Sequence, residues 1–191
     1  MAGRTGGARR AEILRAAAGL FAARGFHGVS IDDLGRAVGT SGPALYRHFP
    51  GKEALLAAML LDVSERLAAD GAERAAAHAD DPHRALDALL RGHIGFALTE
   101  PALITVRDRE LGNVPEPHRR RIRRLQRGYV EQWVGVLARL RPGADPPSLR
   151  ATVHAAFGLL NSTPHSAEEL PAKPMTDLLL AMGTAALLAG H

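Results

Sequence analysis

Cysteine is absent from the 191 residues, which excludes a disulfide scaffold, a thiolate zinc site, an iron–sulfur cluster and a cysteine nucleophile. Lysine is nearly absent: only Lys52 and Lys173 stand among 24 basic residues, and the rest are arginine. Long apolar runs are missing too. The most extended, Leu178 to Ala189, is too short to span a bilayer. The first ten residues are polar and basic, without the apolar stretch of a secretory signal. No HExxH, no His-x-x-x-His pair, no GxSxG elbow and no glycine-rich loop after a strand occurs. We therefore expect a soluble, cytoplasmic protein with no membrane association, no catalytic residues, no metal and no cofactor.

What is present is helical and unevenly charged. Hydrophobic residues make up 46% of the chain, enough to bury a core in one ordinary domain or two small ones. The isoelectric point near 10.3 overstates the basicity, because the net charge is only +4 and few groups titrate between neutrality and strong base. Residues 1–52 hold eight basic side chains against three acidic ones, an excess of +5. The remaining 139 residues hold 16 basic and 17 acidic groups, a balance of −1. That asymmetry predicts a polyanion-binding module at 1–52 joined to a near-neutral body at 53–191.

Alternating β-branched runs do not occur, whereas Ala, Leu, Arg and Glu fill long segments, so the fold class is all-α. Ile13, Ala17, Leu20 and Phe21 repeat at helical spacing until Gly25 stops the first helix. Ser30 and Asp33 form a capping-box pair opening a second, which ends at Gly39. A third follows Thr40-Ser41, with Pro43 in its first turn, and Pro50-Gly51 ends it. A long helix starts near Lys52 and carries Leu56, Met59, Leu60, Val63 and Leu67 on one face. Asp81-Pro82, Glu100-Pro101, Pro115 with Pro117, Asp145-Pro146, and Pro171 with Pro174 mark five later starts. The expected total is about nine helices: a three-helix N-terminal unit and a C-terminal bundle.

Two short helices joined by a tight glycine turn, 34-LGRAVGTSGPALYRHF-49, read as a helix-turn-helix. In such a motif the second helix enters the major groove while the first braces it. Small and hydroxylated residues from Thr40 to Ala44 allow close approach to DNA, and Tyr46, Arg47, His48 and Lys52 cluster as donors. Taken alone, the turn also fits pure packing, with Tyr46 as half-buried core. The charge excess on the same residues favours DNA.

The segment 30-SIDDLGRAVGTSGPALYRHFPGKEALL-56 resembles the DNA-binding domain of TetR-family transcriptional regulators. The resemblance covers roughly residues 8–56 and rests on Leu45-Tyr46, Phe49-Pro50 and Lys52-Glu53, with 20-LFAARGFHGVSIDDLG-35 ahead of them. It implies that Tyr46 and His48 contact phosphates, that Lys52 clamps a phosphate, and that Thr40, Ser41, Gly42, Pro43 and Ala44 face bases. Ser30 joins the expected DNA contacts, and Arg47 either reads a guanine or grips the backbone. Many relatives carry Lys or Gln, and Thr, where this chain has Gly42 and Ala44. Readout then leans on Pro43 or Ala44 against thymine methyls and on DNA shape.

The resemblance further implies a homodimer and a small-molecule effector. The last two long helices, Leu149–Leu160 and Met175–Ala189, are apolar nearly all round and rich in small residues, which suits a four-helix dimer interface. The alternative is that both are internal core. For the effector, Met59, His93, Phe96, Arg107, Tyr129, Trp133, Phe157 and Asn161 are the candidate contacts, lining a mostly apolar site with a few polar anchors. His93 and Arg107 equally fit satisfied structural groups. Such a set suits a fatty or steroid-like acid or its coenzyme A thioester. Along 119-RRRIRRLQR-127, Arg120, Arg124 and Arg127 fall roughly 140–200° from the apolar stripe, most simply a solvated face, while Arg119 and Arg123 flank the boundary and leave a phosphate clamp as the alternative.

The expected function is a ligand-responsive regulator, a repressor released from a palindromic double-stranded DNA operator by its effector. A helical protein-interaction module, or a small-molecule binder without an operator, is the alternative. Either would leave the basic N-terminal cluster unexplained.

Overall fold

The computed structural model describes residues 2–166 and 169–189, and side chains from Gly7 onward except that of Pro43. Among the described residues there is no strand, as the sequence predicts. The described residues form ten α-helices: α1 (Ala2–Arg24), α2 (Ile31–Ala37), α3 (Gly42–Leu45), α4 (Lys52–Ala77), α5 (Pro82–Thr99), α6 (Pro101–Glu110), α7 (Glu116–Leu140), α8 (Pro146–Leu160), α9 (Thr163–Ser166) and α10 (Ala172–Leu188). A 3₁₀ turn, Leu111–Asn113, follows α6. The helix the sequence reading passes over is α9. Its four residues are too few to show a period, and it is held by Thr163, whose Oγ1 donates to Ala97 O at 2.7 Å. That bond satisfies one of the carbonyls orphaned at the end of α5.

The chain forms two units. One holds the chain up to Val63 together with Ala102–Ile122; the other holds Ser64–Pro101 together with the chain from Arg123 on. The boundary expected at residue 52 from charge alone falls inside the first unit. The reason is apolar burial: Leu55, Leu56, Met59, Leu60 and Val63 of α4 are buried, as are Leu103, Ile104 and Val106 of α6. In the second unit α5, α8 and α10 share a core with α7, built on Leu89, Leu90, Trp133, Leu137, Val153, Leu160 and Leu179. Gly183 lets α10 approach closely, since a Cβ there would lie 2.9 Å from Leu90 Cδ2. No helix among the described residues is long and apolar enough to cross a membrane.

Candidate DNA interface and effector site

The helix-turn-helix is assembled from local signals. Gly25 and Gly39 both adopt positive φ (72° and 63°), a region a Cβ disfavours, and so end α1 and start the turn after α2. Ser30 caps α2: its Oγ accepts from Asp33 N at 3.1 Å, while Asp33 Oδ2 accepts from Ser30 N at 2.9 Å. Those Ser30 bonds, with Arg36 alongside, lower the Asp33 carboxyl to about 2. Ser41 caps α3 by accepting from Ala44 N at 3.3 Å. Thr40 N donates to Gly35 O at 2.9 Å, which draws the turn against α2. Gly35 makes that approach possible, because a Cβ there would lie 2.8 Å from Gly42 N and from Thr40 O.

Three of the expected DNA contacts stand free. Tyr46 is 54% exposed, so it is not core. Arg47 and His48 are also exposed, and none of the three side chains has a hydrogen-bond or ion-pair partner among the described residues. The α-helical part of the recognition element is only Gly42–Leu45, and Tyr46 to His48 lie in the turn that follows. Thr40 and Ala44 are half-buried and Ser41 is exposed. The Pro43 side chain lies outside those described.

Three other members of the expected set are placed differently. Gly42 is buried, and a Cβ there would lie only 2.3 Å from Asp32 Oδ1. Its α-carbon packs on α2, which explains why no larger residue stands there. Ser30 remains exposed, but its hydroxyl is committed to the cap, donating to Asp33 Oδ2 at 2.7 Å. Lys52 is half-buried and donates to Phe26 O at 2.8 Å and Val29 O at 2.7 Å, with its ammonium 4.5 Å from the Phe26 ring centre. Lys52, the expected phosphate clamp, thus also clasps the loop leading into α2.

That clasp has a second jaw which sequence reasoning missed. Glu110, at the end of α6, is 7% exposed. Its Oε1 accepts from Phe26 N at 3.1 Å and its Oε2 from Asn113 Nδ2 at 2.8 Å. Phe26 therefore has its amide held by Glu110 and its carbonyl held by Lys52. Glu110 carried no signal in the sequence beyond being an acidic residue near the end of a short helix. The charged group the sequence reading chose on that helix, Arg107, is only half-buried and pairs with neighbouring Asp108 at 2.8 Å.

The positive excess of the N-terminal segment is also partly used internally. Arg9 pairs with Glu12 and donates to Val38 O, Arg36 pairs with Asp33, and Arg24 lies 3.8 Å from Asp33. Arg10 sits over the Phe49 ring at 5.0 Å. Arg15 and Arg47 stay exposed and unpaired among the described residues.

In the second unit six of the eight expected effector residues meet. His93, 2% exposed, stacks on Phe157 with ring centres 4.7 Å apart and planes within 2°. Tyr129 lies nearly parallel to both, at 20° to His93 and 18° to Phe157. Trp133 stands almost perpendicular to all three, at 87°, 81° and 86°. Phe96 meets His93 at 5.9 Å. His93 Nε2 lies 3.1 Å from Asn161 Oδ1 and Nδ1 lies 3.2 Å from the Tyr129 hydroxyl. An amide oxygen only accepts, so His93 Nε2 carries a proton and donates to it, while Nδ1 faces the Tyr129 hydroxyl and its proton. Burial pushes the Tyr129 phenol well up, which keeps that proton in place. Met59 and Arg107 belong to the other unit.

A helix-turn-helix with free polar side chains, in a chain whose second unit is a helical bundle, defines a DNA-binding regulator. A family model for bacterial regulatory proteins of the tetR family matches residues 13–59, and one for the tetracyclin repressor-like C-terminal domain matches 79–165. The chain belongs to the TetR family of DNA-binding transcriptional regulators. It is 26% identical over 152 residues to the HTH-type transcriptional regulator EthR of Mycolicibacterium smegmatis, covering 77% of this chain and 68% of that one. A TetR-family regulator from Bordetella parapertussis shares the fold with a TM-score of 0.82 at 25% identity, covering 95% of both chains. The regulator FadR of Bacillus subtilis, solved with stearoyl-CoA, shares it at 0.70 and 16% identity, over 92% of this chain and 97% of that one.

Proposed function

We propose that this regulator is a homodimeric repressor whose operator is palindromic and whose release is triggered by a small, largely apolar effector. One observation carries the reading: Tyr46, Arg47 and His48 stand exposed and unpaired beside the capped turn, while the unit outside it gathers aromatic and polar groups around His93. Tyr46 and His48 grip phosphates, and Thr40, Ser41 and Ala44 approach the groove floor. The effector binds against His93, Phe96, Tyr129, Trp133, Phe157 and Asn161, with fatty acyl or steroid-like compounds as its class. The FadR complex with stearoyl-CoA supports that class. Effector binding shifts the population toward a form whose paired recognition elements no longer match the operator spacing.

Gel-shift titration on DNA upstream of the gene, and on sites selected from random DNA, tests the reading. Salt-sensitive binding is expected, and its absence on every site counts against a repressor. Arg47→Ala should cost about 1–3 kcal/mol of operator affinity. If Arg47 reads a guanine, discrimination at that base relaxes. If it grips the backbone, affinity falls alike on all sequences and the salt slope drops by about 1. Unchanged affinity in Arg47→Ala and Tyr46→Ala together removes these contacts from the interface.

The second copy is expected to pair through α8 and α10. Leu178 and Met182 of α10 are 44% and 46% exposed, beside exposed Ala181 and Ala185. On α8 the exposed residues include Ala151, Ala155 and Gly158. Large apolar groups left open beside small ones suit close helix packing between copies. Sedimentation should give twice the 20.3 kDa chain mass, and the Leu178→Asp, Met182→Asp double variant should sediment as a monomer. A monomeric parent protein would overturn this arrangement.

A further inference from the structure

The His93 cluster is nearly complete in its hydrogen bonding, and the exception points to a ligand. Trp133 is fully buried, yet its indole N–H has no acceptor within hydrogen-bond geometry among the described residues. It lies toward the Tyr129 oxygen without reaching hydrogen-bond geometry. Leaving a buried donor unmade costs about 1–3 kcal/mol, so the position holds a standing demand for an acceptor. The other buried atom without a partner, Gln132 Oε1, does not share the site. It abuts Gly71, where a Cβ would lie 2.5 Å away, and the same amide donates to Ala68 O.

The charge around Trp133 decides what kind of acceptor fits. Both His93 ring nitrogens are already engaged, by Asn161 and Tyr129, and Tyr129 keeps its proton. The Arg74 guanidinium, which acts on Tyr129, is tied to Asp70 at 2.6 Å and packs over Gly92, the residue before His93. The pair brings no net charge. Three near-parallel rings, His93, Tyr129 and Phe157, present faces that repel an anion. A carboxylate brought here would lose its hydration, and the Arg74 guanidinium is already engaged by Asp70. A neutral carbonyl would accept the Trp133 N–H, and the apolar body behind it would lie against Phe96 and Phe157, both half-buried.

We propose that the Trp133 indole N–H is the polar anchor for the neutral carbonyl of an apolar effector, a ketone or a thioester rather than a free acid. This rests on the ligand-responsive reading above and narrows its ligand class. Trp133 is the sole tryptophan, so its emission reports the site directly. The protein would be titrated with 2-dodecanone, dodecanoyl-coenzyme A, dodecanoate and dodecyltrimethylammonium, following emission and operator release. At least one carbonyl probe should bind at least tenfold tighter than dodecanoate and the ammonium, and should release the operator. Which of the two does so separates a ketone from a thioester source.

Trp133→Phe keeps a ring and removes the donor. Followed by thermal shift, it should bind the preferred carbonyl probe at least tenfold more weakly, with its preference over dodecanoate reduced to within twofold. The parent-protein comparison decides the class even where the variant is unstable. Tighter binding of dodecanoate or of the ammonium overturns the carbonyl class and leaves ligand-responsive regulation standing. Absence of any saturable emission change with all four probes overturns the anchor. Saturable binding without operator release counts instead against the proposed effector-driven release.

Discussion

Gly35→Ala is expected to weaken operator binding more than tenfold and to destabilise the fold by about 1–3 kcal/mol. The added methyl would meet Gly42 N and Thr40 O at 2.8 Å and Ser41 C at 3.0 Å. All three are backbone atoms, so no side chain can rotate out of the way. The turn must open, and the 2.9 Å bond from Thr40 N to Gly35 O is stretched with it. Any such shift moves α3 and the Tyr46–His48 segment, whose value to DNA lies in their angle to α2. Gly19→Ala is the control: it lies inside α1, where nothing stands within 4 Å of an added Cβ. That substitution should stabilise by roughly 0.5–1 kcal/mol. Denaturant titration by circular dichroism, beside gel-shift affinity, separates the two. Wild-type affinity in Gly35→Ala would show that the turn is looser than its contacts imply.

Glu110→Leu is the second large expected effect, a loss of about 1–3 kcal/mol with weakened operator binding. The substitution fills the space with an apolar group but leaves the Phe26 amide without its acceptor at 3.1 Å. It also frees Asn113 Nδ2, held now at 2.8 Å. Glu110→Gln retains an amide oxygen and should lose less than half as much. Lys52→Met removes the opposite jaw, freeing the carbonyls of Phe26 and Val29. Both jaws act on one peptide segment, so the double variant should be non-additive in a thermodynamic cycle. Equal stability of Glu110→Leu and the parent protein would make that contact incidental. The loop they hold ends at Ser30, the cap of α2, so loosening it should reach the DNA contacts.

Much of this is legible in the chain itself. The capping box at Ser30 and Asp33, the stop glycines at 25 and 39, and the Asp-Pro starts of α5 and α8 are local chemistry, and the structure carries each of them. The solvated face of α7 also follows from period alone: Arg120, Arg124 and Arg127 are all exposed. The final helix begins at Ala172 rather than Met175, because Ala172, Lys173 and Pro174 are exposed and lie ahead of its buried stripe. The aromatic cluster was legible as composition on three helix faces, and His93, Tyr129, Trp133 and Phe157 do meet. Period shows which side of a helix is apolar, but not which helices share a core. Met59 and Arg107 therefore looked equivalent to the other six, although they lie in the other unit.

The uneven charge carried the reading furthest, and the structure refines it most. Sequence determined that the positive excess lies in the first 52 residues and that a capped helix-turn-helix lies within them, because both are properties of neighbours along the chain. Only the tertiary structure decided which charges remain for a partner. Lys52 is turned onto the carbonyls of residues 26 and 29, Arg9 and Arg36 are paired, and Arg47 is left free beside Tyr46 and His48. A charge can be counted from sequence, but its use depends on the acceptor nearest to it. For Phe26 and Glu110 the two ends of one hydrogen bond stand 84 residues apart, a proximity that folding alone creates.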